Sequence, residues 1–574
     1  MLEARADALE AGVLEDWRGR VARAQRHLGW TNAASVIRQH RAGVSLALSA
    51  PCDQLYTATE VNEWALCASL AGRNPIRWQW LEQALAQSQP DVGEPAVLEQ
   101  SAALARLTRI ASAASRPALR AIVEAARRRE MPVVLDDETL TLGIGAGSRS
   151  WLLAAVPDRS DEIPWAQLHA VPTALVTGSN GKTTTVRLIA ACAEAHGLAS
   201  GYSCTDGVFV GGEQLEAGDY SGPVGARTVL RNPGVEAAVL ETARGGILRR
   251  GLATSSAEVA IVTNVSADHF GEYGIDDLAA LAQAKLVVRH ALGPKGLLVL
   301  NADDRTLVAC SAAVDSTIGW FALDADEPRL AAHRERGGAV CGVREGRLQA
   351  SFAGTEFDLG AITAMPLSVT GSATYNVANL AGAALCALAF GVPARTIAAV
   401  YASFGGRVED NLGRLMRLEL GGVQILLDYA HNPAGLSGIL EVAGHLRKRG
   451  RLGLLLGHAG NRADEDLQKL ASVAAAADPD LVVVKEIDGY RRGRREGEVA
   501  GILRAALLGG GLTESATPVR LLELEAARYA LEWARPGDLL VLLVHSLAAR
   551  AAVTELLQRL HSGRWQAGQP LPAE

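Results

Sequence analysis

The sequence lacks any cysteine pattern that would staple a fold or hold zinc. Its seven cysteines (Cys52, Cys67, Cys192, Cys204, Cys310, Cys341 and Cys386) are scattered, with no C-x-x-C pair. Neither a disulfide framework nor a zinc site is suggested, and a reducing, cytoplasmic setting is the simplest expectation. No apolar run is long enough to cross a bilayer; the longest, near Leu380 to Val392, is too short. The stretch Leu2 to Leu28 alternates Glu, Arg and Asp with Leu and Ala, which predicts an amphipathic helix rather than a signal peptide. An excess of basic charge is missing too. The net charge of -7 implies no non-specific nucleic-acid surface. Aromatics are sparse at 5%, whereas Ala, Leu, Gly and Val abound, which suits stacked α/β layers. With 49% apolar and 21% charged residues the chain is globular. On length alone it holds roughly three or four domains.

What is present is organised around Thr177-Gly178-Ser179-Asn180-Gly181-Lys182-Thr183-Thr184-Thr185. A short apolar strand from Thr173 runs into this turn, and a helix beginning Val186-Arg187-Leu188-Ile189 runs out of it. That is the context of a phosphate-binding loop. Gly178 and Gly181 let the backbone approach an anion. N–H groups at the helix start point at phosphates, Lys182 adds a mobile charge, and a Thr183 or Thr184 hydroxyl can hold Mg²⁺. The standard pattern wants a glycine five residues before Gly181, where Val176 stands, so the loop is a shortened one.

Before residue 165 no nucleotide motif occurs. Strands are expected at Val44 to Ala50 and Pro132 to Leu135, and helices at Thr59 to Ala71 and Pro117 to Arg129. Gly143-Ile144-Gly145-Ala146-Gly147-Ser148 lacks the third glycine and following helix of a dinucleotide loop, and reads as a turn. Pro157 to Pro164 reads as a linker. From about 166, strands and helices alternate, the sign of a mostly parallel sheet. Three strands end at Glu241, at Asn264 and at Asn301, placing polar groups at the edge where open α/β sheets bind ligands. Residues 311 to 370 suggest a small antiparallel insertion. A helix from Asn376 to Phe390 follows, and a second α/β unit starts near 409 with a strand ending at Asp428.

Singly, these polar residues are ambiguous. Glu241 can be a solvated strand cap, His269 a satisfied surface group, Lys285 a solvated cation and Asp304 a helix cap. Their order is more specific. Leu-Glu-Thr-Ala-Arg-Gly-Gly-Ile-Leu-Arg (240–249), Thr-Asn-Val-Ser-Ala-Asp-His (263–269), Leu-Asn-Ala-Asp-Asp (300–304), Tyr-Asn-Val-Ala-Asn (375–379) and Asp-Tyr-Ala-His-Asn-Pro (428–433) follow the loop. Together they resemble the Mur ligase superfamily, most closely the Mur-ligase-like half of the cyanophycin synthetases. Ala58 to Trp64 (Ala-Thr-Glu-Val-Asn-Glu-Trp) is similar to that family's first domain.

The resemblance implies an α/β protein with three parts: an N-terminal α/β domain at 1–165, a central P-loop Mur ligase domain at 166–408, and a Rossmann-like C-terminal domain at 409–574. It implies an ATP-dependent amide ligase working through an acyl phosphate. Gly178 to Thr184 would hold ATP, with Asn301, Asp304 and Asn376 near the base, and with Arg414 and Asp428 reaching over from the C-terminal domain. Thr183, Thr184, Glu241, His269 and Lys285 would serve two Mg²⁺ ions, Lys285 as a carbamate. Lys182, Glu241, His269 and Lys285 would carry the chemistry, and His431 and Asn432 would sit near the incoming amine. Arg494 and Glu498 fall in a stretch similar to the family's Arg-Gly-Arg…Gly-Glu segment. Its plainer reading is a solvated loop.

The expected partners are an amino acid and an acidic acceptor, with no nucleic acid and no membrane. Homo-oligomers are common in this superfamily. Cyanophycin synthetases also carry an ATP-grasp domain between their first and Mur-like parts, and Val133 to Pro172 leaves no room for one here. Tyr375 replaces a common His. The alternative is a non-catalytic nucleotide-binding subunit scaffolding a separate ATP-grasp ligase; a P-loop kinase or NTPase switch is a third reading. Retention of Lys182, Glu241, His269 and Lys285 weighs against the scaffold. Val176 and the 428–433 motif weigh against the switch.

Overall fold

The computed structural model describes residues 2–5, 11–40, 43–72, 98–267 and 270–572. The first sheet has the order β1-β3-β2, from Leu2–Arg5 (β1), Ser35–His40 (β2) and Gly43–Leu48 (β3). Of the helix expected over Leu2 to Leu28, the structure describes Ala11–His27. Leu2 to Arg5 instead pair antiparallel with β3, from Leu2 against Leu46 to Arg5 against Gly43. Tertiary pairing overrides local propensity there. The helices Ala11–His27, Leu55–Ala71 and Gln100–Ala114 close a core around Trp17, Val21, Leu46, Val61 and Leu107. Asn62 ties it together, accepting from Trp17 Nε1 (3.0 Å) and donating to the Leu46 carbonyl (3.1 Å).

A second three-stranded sheet, Val133–Leu135 (β4), Thr139–Leu142 (β5) and Arg149–Leu152 (β6), is antiparallel throughout. The Gly143 to Ser148 segment is a turn, as expected, with one helical turn at Gly145–Gly147. A backbone bond pins it to the segment around Val235, whose carbonyl accepts from Ala146 N at 2.7 Å.

The central sheet has eleven strands. They are Thr173–Thr177 (β7), Ser200–Cys204 (β8), Gly207–Val210 (β9), Glu213–Ala217 (β10), Ala237–Glu241 (β11), Ala257–Val262 (β12), Leu292–Asn301 (β13), Thr317–Asp324 (β14), Val340–Arg344 (β15), Arg347–Phe352 (β16) and Thr355–Ala361 (β17). Their order is β10-β9-β8-β11-β7-β12-β13-β14-β15-β16-β17. Parallel pairing runs from β8 to β15. β7 is buried along its whole length, as a strand covered on both faces must be. Its side chains alternate. Ala174 and Val176 pack with helices Lys182–Ala195 and Thr374–Ala389, and Leu175 with helices Pro223–Arg231 and Leu278–Leu286.

The antiparallel segment expected over 311 to 370 is narrower than that range. β14 and β15 run parallel to the sheet, joined by the crossover helix Pro328–Glu335. Only β15-β16-β17 is antiparallel, and it extends the same sheet at its edge.

The last sheet has the order β18-β19-β22-β20-β21, from Met416–Leu420 (β18), Val423–Asp428 (β19), Leu452–His458 (β20), Leu481–Glu486 (β21) and Leu539–Leu543 (β22). β18 pairs antiparallel and the others are parallel. Among the described residues, no helix is long and apolar enough to cross a membrane.

Candidate active site

β7 lies where the strand order reverses, between β11 and β12. The crevice beyond its carboxyl end is where such sheets bind ligands, and the loop Gly178 to Gly181 fills that place. Gly178 has φ +148°, and a Cβ there would collide with Thr263 Oγ1. Gly181 has φ +82°, and a Cβ would collide with Asn379 Oδ1. Both positions therefore need glycine for conformation and for space.

The loop is clamped by the end of β12. Ser179 N donates to the Asn264 carbonyl (2.9 Å) and Asn180 N to Asn264 Oδ1 (2.9 Å). The Asn180 carbonyl accepts from Thr263 Oγ1 (2.6 Å) and Asn264 Nδ2 (3.1 Å). Ser179 Oγ donates to the Ser266 carbonyl (3.1 Å) and accepts from Ser266 N (3.0 Å). With its own carbonyls and hydroxyls so engaged, the loop has a single shape, the pre-organisation an anion cradle needs.

Beyond the loop the helix Lys182–Ala195 begins. Lys182 Nζ folds back onto the Ser179 carbonyl at 3.2 Å. Thr183 Oγ1 donates to Glu241 Oε2 at 2.8 Å, and the Thr205 hydroxyl lies 3.1 Å from Thr183 and 3.2 Å from Glu241 Oε1. Thr183 and Glu241 are 3% and 2% exposed. The geometry separates the two threonines, because the Thr184 hydroxyl faces Asn411 Nδ2 at 3.3 Å.

At the next edge, Asn301 Nδ2 donates to the Thr263 carbonyl (3.1 Å). Asp304 caps the helix Arg305–Ser311 and accepts from Val265 N at 2.6 Å. Both brace the loop's supports. Asn376 donates to the Leu367 carbonyl (3.2 Å) and accepts from Asn379 (3.1 Å). Lys285 is 4% exposed on the helix Leu278–Leu286, which packs beside the helix Arg244–Arg250 that follows Glu241. His269 lies outside the described residues.

Residues 176–387 match the family description Mur ligase middle domain, and residues 413–543 match Mur ligase, glutamate ligase domain. The chain belongs to the Mur ligase family. It is 36% identical over 397 residues to a cyanophycin synthetase of Trichormus variabilis, covering 68% of this chain and 43% of that one. A cyanophycin synthetase of Synechocystis is 36% identical over 59% of this chain and 38% of its own. The chain thus spans less than half the length of these relatives. The UDP-N-acetylmuramoyl-L-alanyl-D-glutamate–2,6-diaminopimelate ligase of Corynebacterium glutamicum is 28% identical over 63% of this chain and 68% of its own.

The C-terminal sheet presents Asp428-Tyr429-Ala430-His431-Asn432 to the loop. Asn432 caps the helix Pro433–Leu446 through Gly435 N (2.8 Å), and its Nδ2 donates to Asn180 Oδ1 at 2.9 Å. Asp428 accepts from Leu415 N (2.6 Å) and Ala430 N (2.7 Å). Burial pushes the Asp428 carboxyl up, against the opposing pull of Arg414. The Arg414 guanidinium stacks 4.2 Å over the Tyr429 ring. Tyr375 sits against Gly438 at the start of this contact, its hydroxyl buried, and burial raises its pKa. Arg494 turns inward. Its guanidinium donates to the Gly460 carbonyl (2.9 Å), the Arg462 carbonyl (2.6 Å), Asp464 (2.7 Å) and Glu498 (3.0 Å). Arg494 and Glu498 together therefore brace the loop after β20.

Motif reading missed the groups beneath the 428–432 loop. His458 Nε2 contacts the His431 carbonyl (2.7 Å) and His545 Nε2 the Ala430 carbonyl (3.1 Å). His545 Nδ1 faces Lys485 Nζ at 3.2 Å, so the ring takes the lysine's hydrogen bond there and carries its proton on Nε2. Lys485 in turn pairs with Glu523 at 2.7 Å, and both side chains are fully buried. Thr205, Asp206, His458, Lys485 and His545 all lie at or just beyond the carboxyl end of a strand. The rule that singled out Glu241 applied to every strand would have found them.

Proposed function

We propose that this chain is an ATP-dependent amide ligase that joins the amino group of an amino acid to a carboxylate of an amino-acid or peptide acceptor, in cyanophycin-related chemistry. The observation that carries the reading is the buried contact of Thr183 with Glu241 at the head of the phosphate loop. A hydroxyl and a carboxylate there form a hard-oxygen donor set of the kind Mg²⁺ takes. Thr183 and Glu241 would hold the ion, which when bound neutralises phosphate charge. Family resemblance adds Thr184 and His269 to that set, and a second ion held by Lys285 as a carbamate.

The chemistry asked of the chain is positioning. The N–H groups at the start of the helix Lys182–Ala195 and the Lys182 side chain hold the triphosphate. The acceptor carboxylate oxygen attacks the terminal phosphorus as the bond to the ADP oxygen breaks, giving an acyl phosphate. The incoming amine then attacks the acyl carbon, phosphate leaves, and the amine gives up a proton. Asn432 reaches the loop from the C-terminal side, where it and His431 would face the amine. Covering the site from that side keeps water from the acyl phosphate. Residues 1–165, 166–408 and 409–574 are proposed as its domains, the last two each having a sheet of its own. A cytoplasmic location, self-association and cooperation with a separate ATP-grasp enzyme belong to this proposal as well.

The test is a phosphate-release screen across amino acids against aspartate-rich acceptors, with mass spectrometry of the products. Wild type is expected to release phosphate only when an amine and an acceptor are both present. Lys182→Ala is expected to abolish that release. Lys285→Ala is expected to lose activity and to regain part of it with added short carboxylic acids. Release of no phosphate with any mixture would leave the scaffold reading standing instead.

A further inference from the structure

Between the phosphate loop and the C-terminal sheet, three arginines gather on one carboxylate. Asp206 follows Thr205, whose hydroxyl already touches Thr183 and Glu241. Asp206 Oδ2 accepts from Arg187 Nη2 at 2.9 Å, on the helix that the loop opens. Its Oδ1 accepts from Arg550 Nη2 at 2.6 Å, on the helix Leu547–Ser562. Arg414 is the third. Burial raises the carboxyl of Asp206, but Arg414, Arg550 and Arg187 outweigh it and hold the group below its usual range. Arg550 and Arg414 stack on the same Tyr429 ring, 5.3 and 4.2 Å from its centre.

The cluster's hydrogen bonds do not close. Arg414 Nε, Arg414 Nη2 and Arg550 Nε are buried with no hydrogen-bond partner among the described residues. The Arg550 side chain is 9% exposed. Buried donors without acceptors are uncommon and costly. The nearby carboxylates are engaged elsewhere: Glu241 with Thr183 and Thr205, Asp428 with two backbone N–H groups. Guanidinium forks match phosphate oxygens. The backbone also makes room for this side chain. Gly413 has φ +71°, and a Cβ there would sit 2.9 Å from Arg550 Nη1.

Resting on the ligase reading, we propose that Arg550 is a second C-terminal arginine of the nucleotide site. It binds, beside Arg414, the terminal phosphoryl group in transit from ATP to the acceptor, and Asp206 docks it there. Arg550 contacts the group that ATP has and ADP lacks. It therefore discriminates between the two nucleotides, and its docking ties the C-terminal helix to the loaded state.

Calorimetric titration of the full chain with MgATP and with MgADP tests this. Arg550→Ala is expected to weaken MgATP binding about tenfold, the loss of one charge-assisted contact, and to leave MgADP within about twofold. Arg550→Lys keeps the charge without the fork and is expected to fall between, which serves where the alanine variant fails to fold. Asp206→Asn is expected to weaken MgATP by a smaller factor. Equal losses for both nucleotides, or no loss for either, would overturn the proposal. The phosphate-release screen separates the two readings: if wild type releases no phosphate with any mixture of amine and acceptor, the ligase reading fails, whatever the nucleotide preference of Arg550→Ala.

Discussion

At His545 the fold keeps an imidazole neutral in order to hold a backbone carbonyl. Burial, and then the neighbouring Lys485 charge, press its pKa down from 6.5 to about 4, with Glu523 pulling the other way. Burial likewise lowers His458 to about 3. An unfolded histidine takes its proton near 6.5, so between that value and about 4 the unfolded chain binds more protons than the folded one. Stability from this site is complete above pH 6.5 and drains away as pH falls toward 4. For His545 the total is about 3 kcal/mol. Glu523 adds to the same trend. Its carboxyl lies below its ordinary value despite burial, because the Lys485 charge favours the anion, so its contribution is lost in more acid solution. We expect the melting temperature to fall steadily from pH 7 to 4.5. In His545→Asn, which keeps a polar group that does not titrate, the slope should be shallower. Parallel melting curves for the two proteins would show that His545 is not a source of the slope.

The elements that present the site were largely legible. Parallel strands covered on both faces are near-continuous apolar runs, and their polar ends stand out: Glu241 after Ala237 to Leu240, Asn301 after Leu297 to Leu300, Asp428 after Val423 to Leu427. Strand partners were not legible, since pairing depends on residues far away. Leu2 to Arg5 carries a pattern that local reading assigns to a helix, and only β3 makes it a strand. Thr317–Asp324 and Val340–Arg344 fall within the 311 to 370 stretch read as an antiparallel insertion, because the eight-residue helix between them gives little signal. Asn432 shows how one element end does two things. Its Oδ1 caps the helix Pro433–Leu446 and its Nδ2 reaches Asn180. Asn432→Asp keeps the cap and loses the donor; Asn432→Ala loses both. The alanine variant is expected to lose about 1 kcal/mol of stability as well as activity. The aspartate variant should keep its stability and lose activity about tenfold, through an unmade contact at the loop. Full activity in Asn432→Asp would remove the Asn180 contact from the mechanism.

Across the whole molecule, the cores decide what unfolds together. The apolar cluster around Trp17, Leu46, Val61 and Leu107 is built entirely from residues before 108. Its partly buried neighbours come from the same region. By contrast Val369 and Ala373, next to the central sheet, share a cluster with Leu426, Leu436 and Ile439 of the C-terminal sheet. Val134 and Ile144 of the second small sheet join the central core. Polar contacts add to the central–C-terminal joint: Asn180 with Asn432, Thr184 with Asn411, Asp206 with Arg550. None of these pairings could be read from spacing, since each partner lies more than 200 residues from the other. The division predicts more than one calorimetric transition, because separate cores lose two-state behaviour. MgATP at a hundred times its dissociation constant stabilises whatever binds it by about 2.7 kcal/mol. Spread over the central and C-terminal parts, that is roughly 3 °C in their midpoint. The transition of the first core should not move, because no residue of its cluster takes part in the site. A shift of equal size in every transition would mean that the amino-terminal core is coupled to the nucleotide through contacts beyond its own cluster.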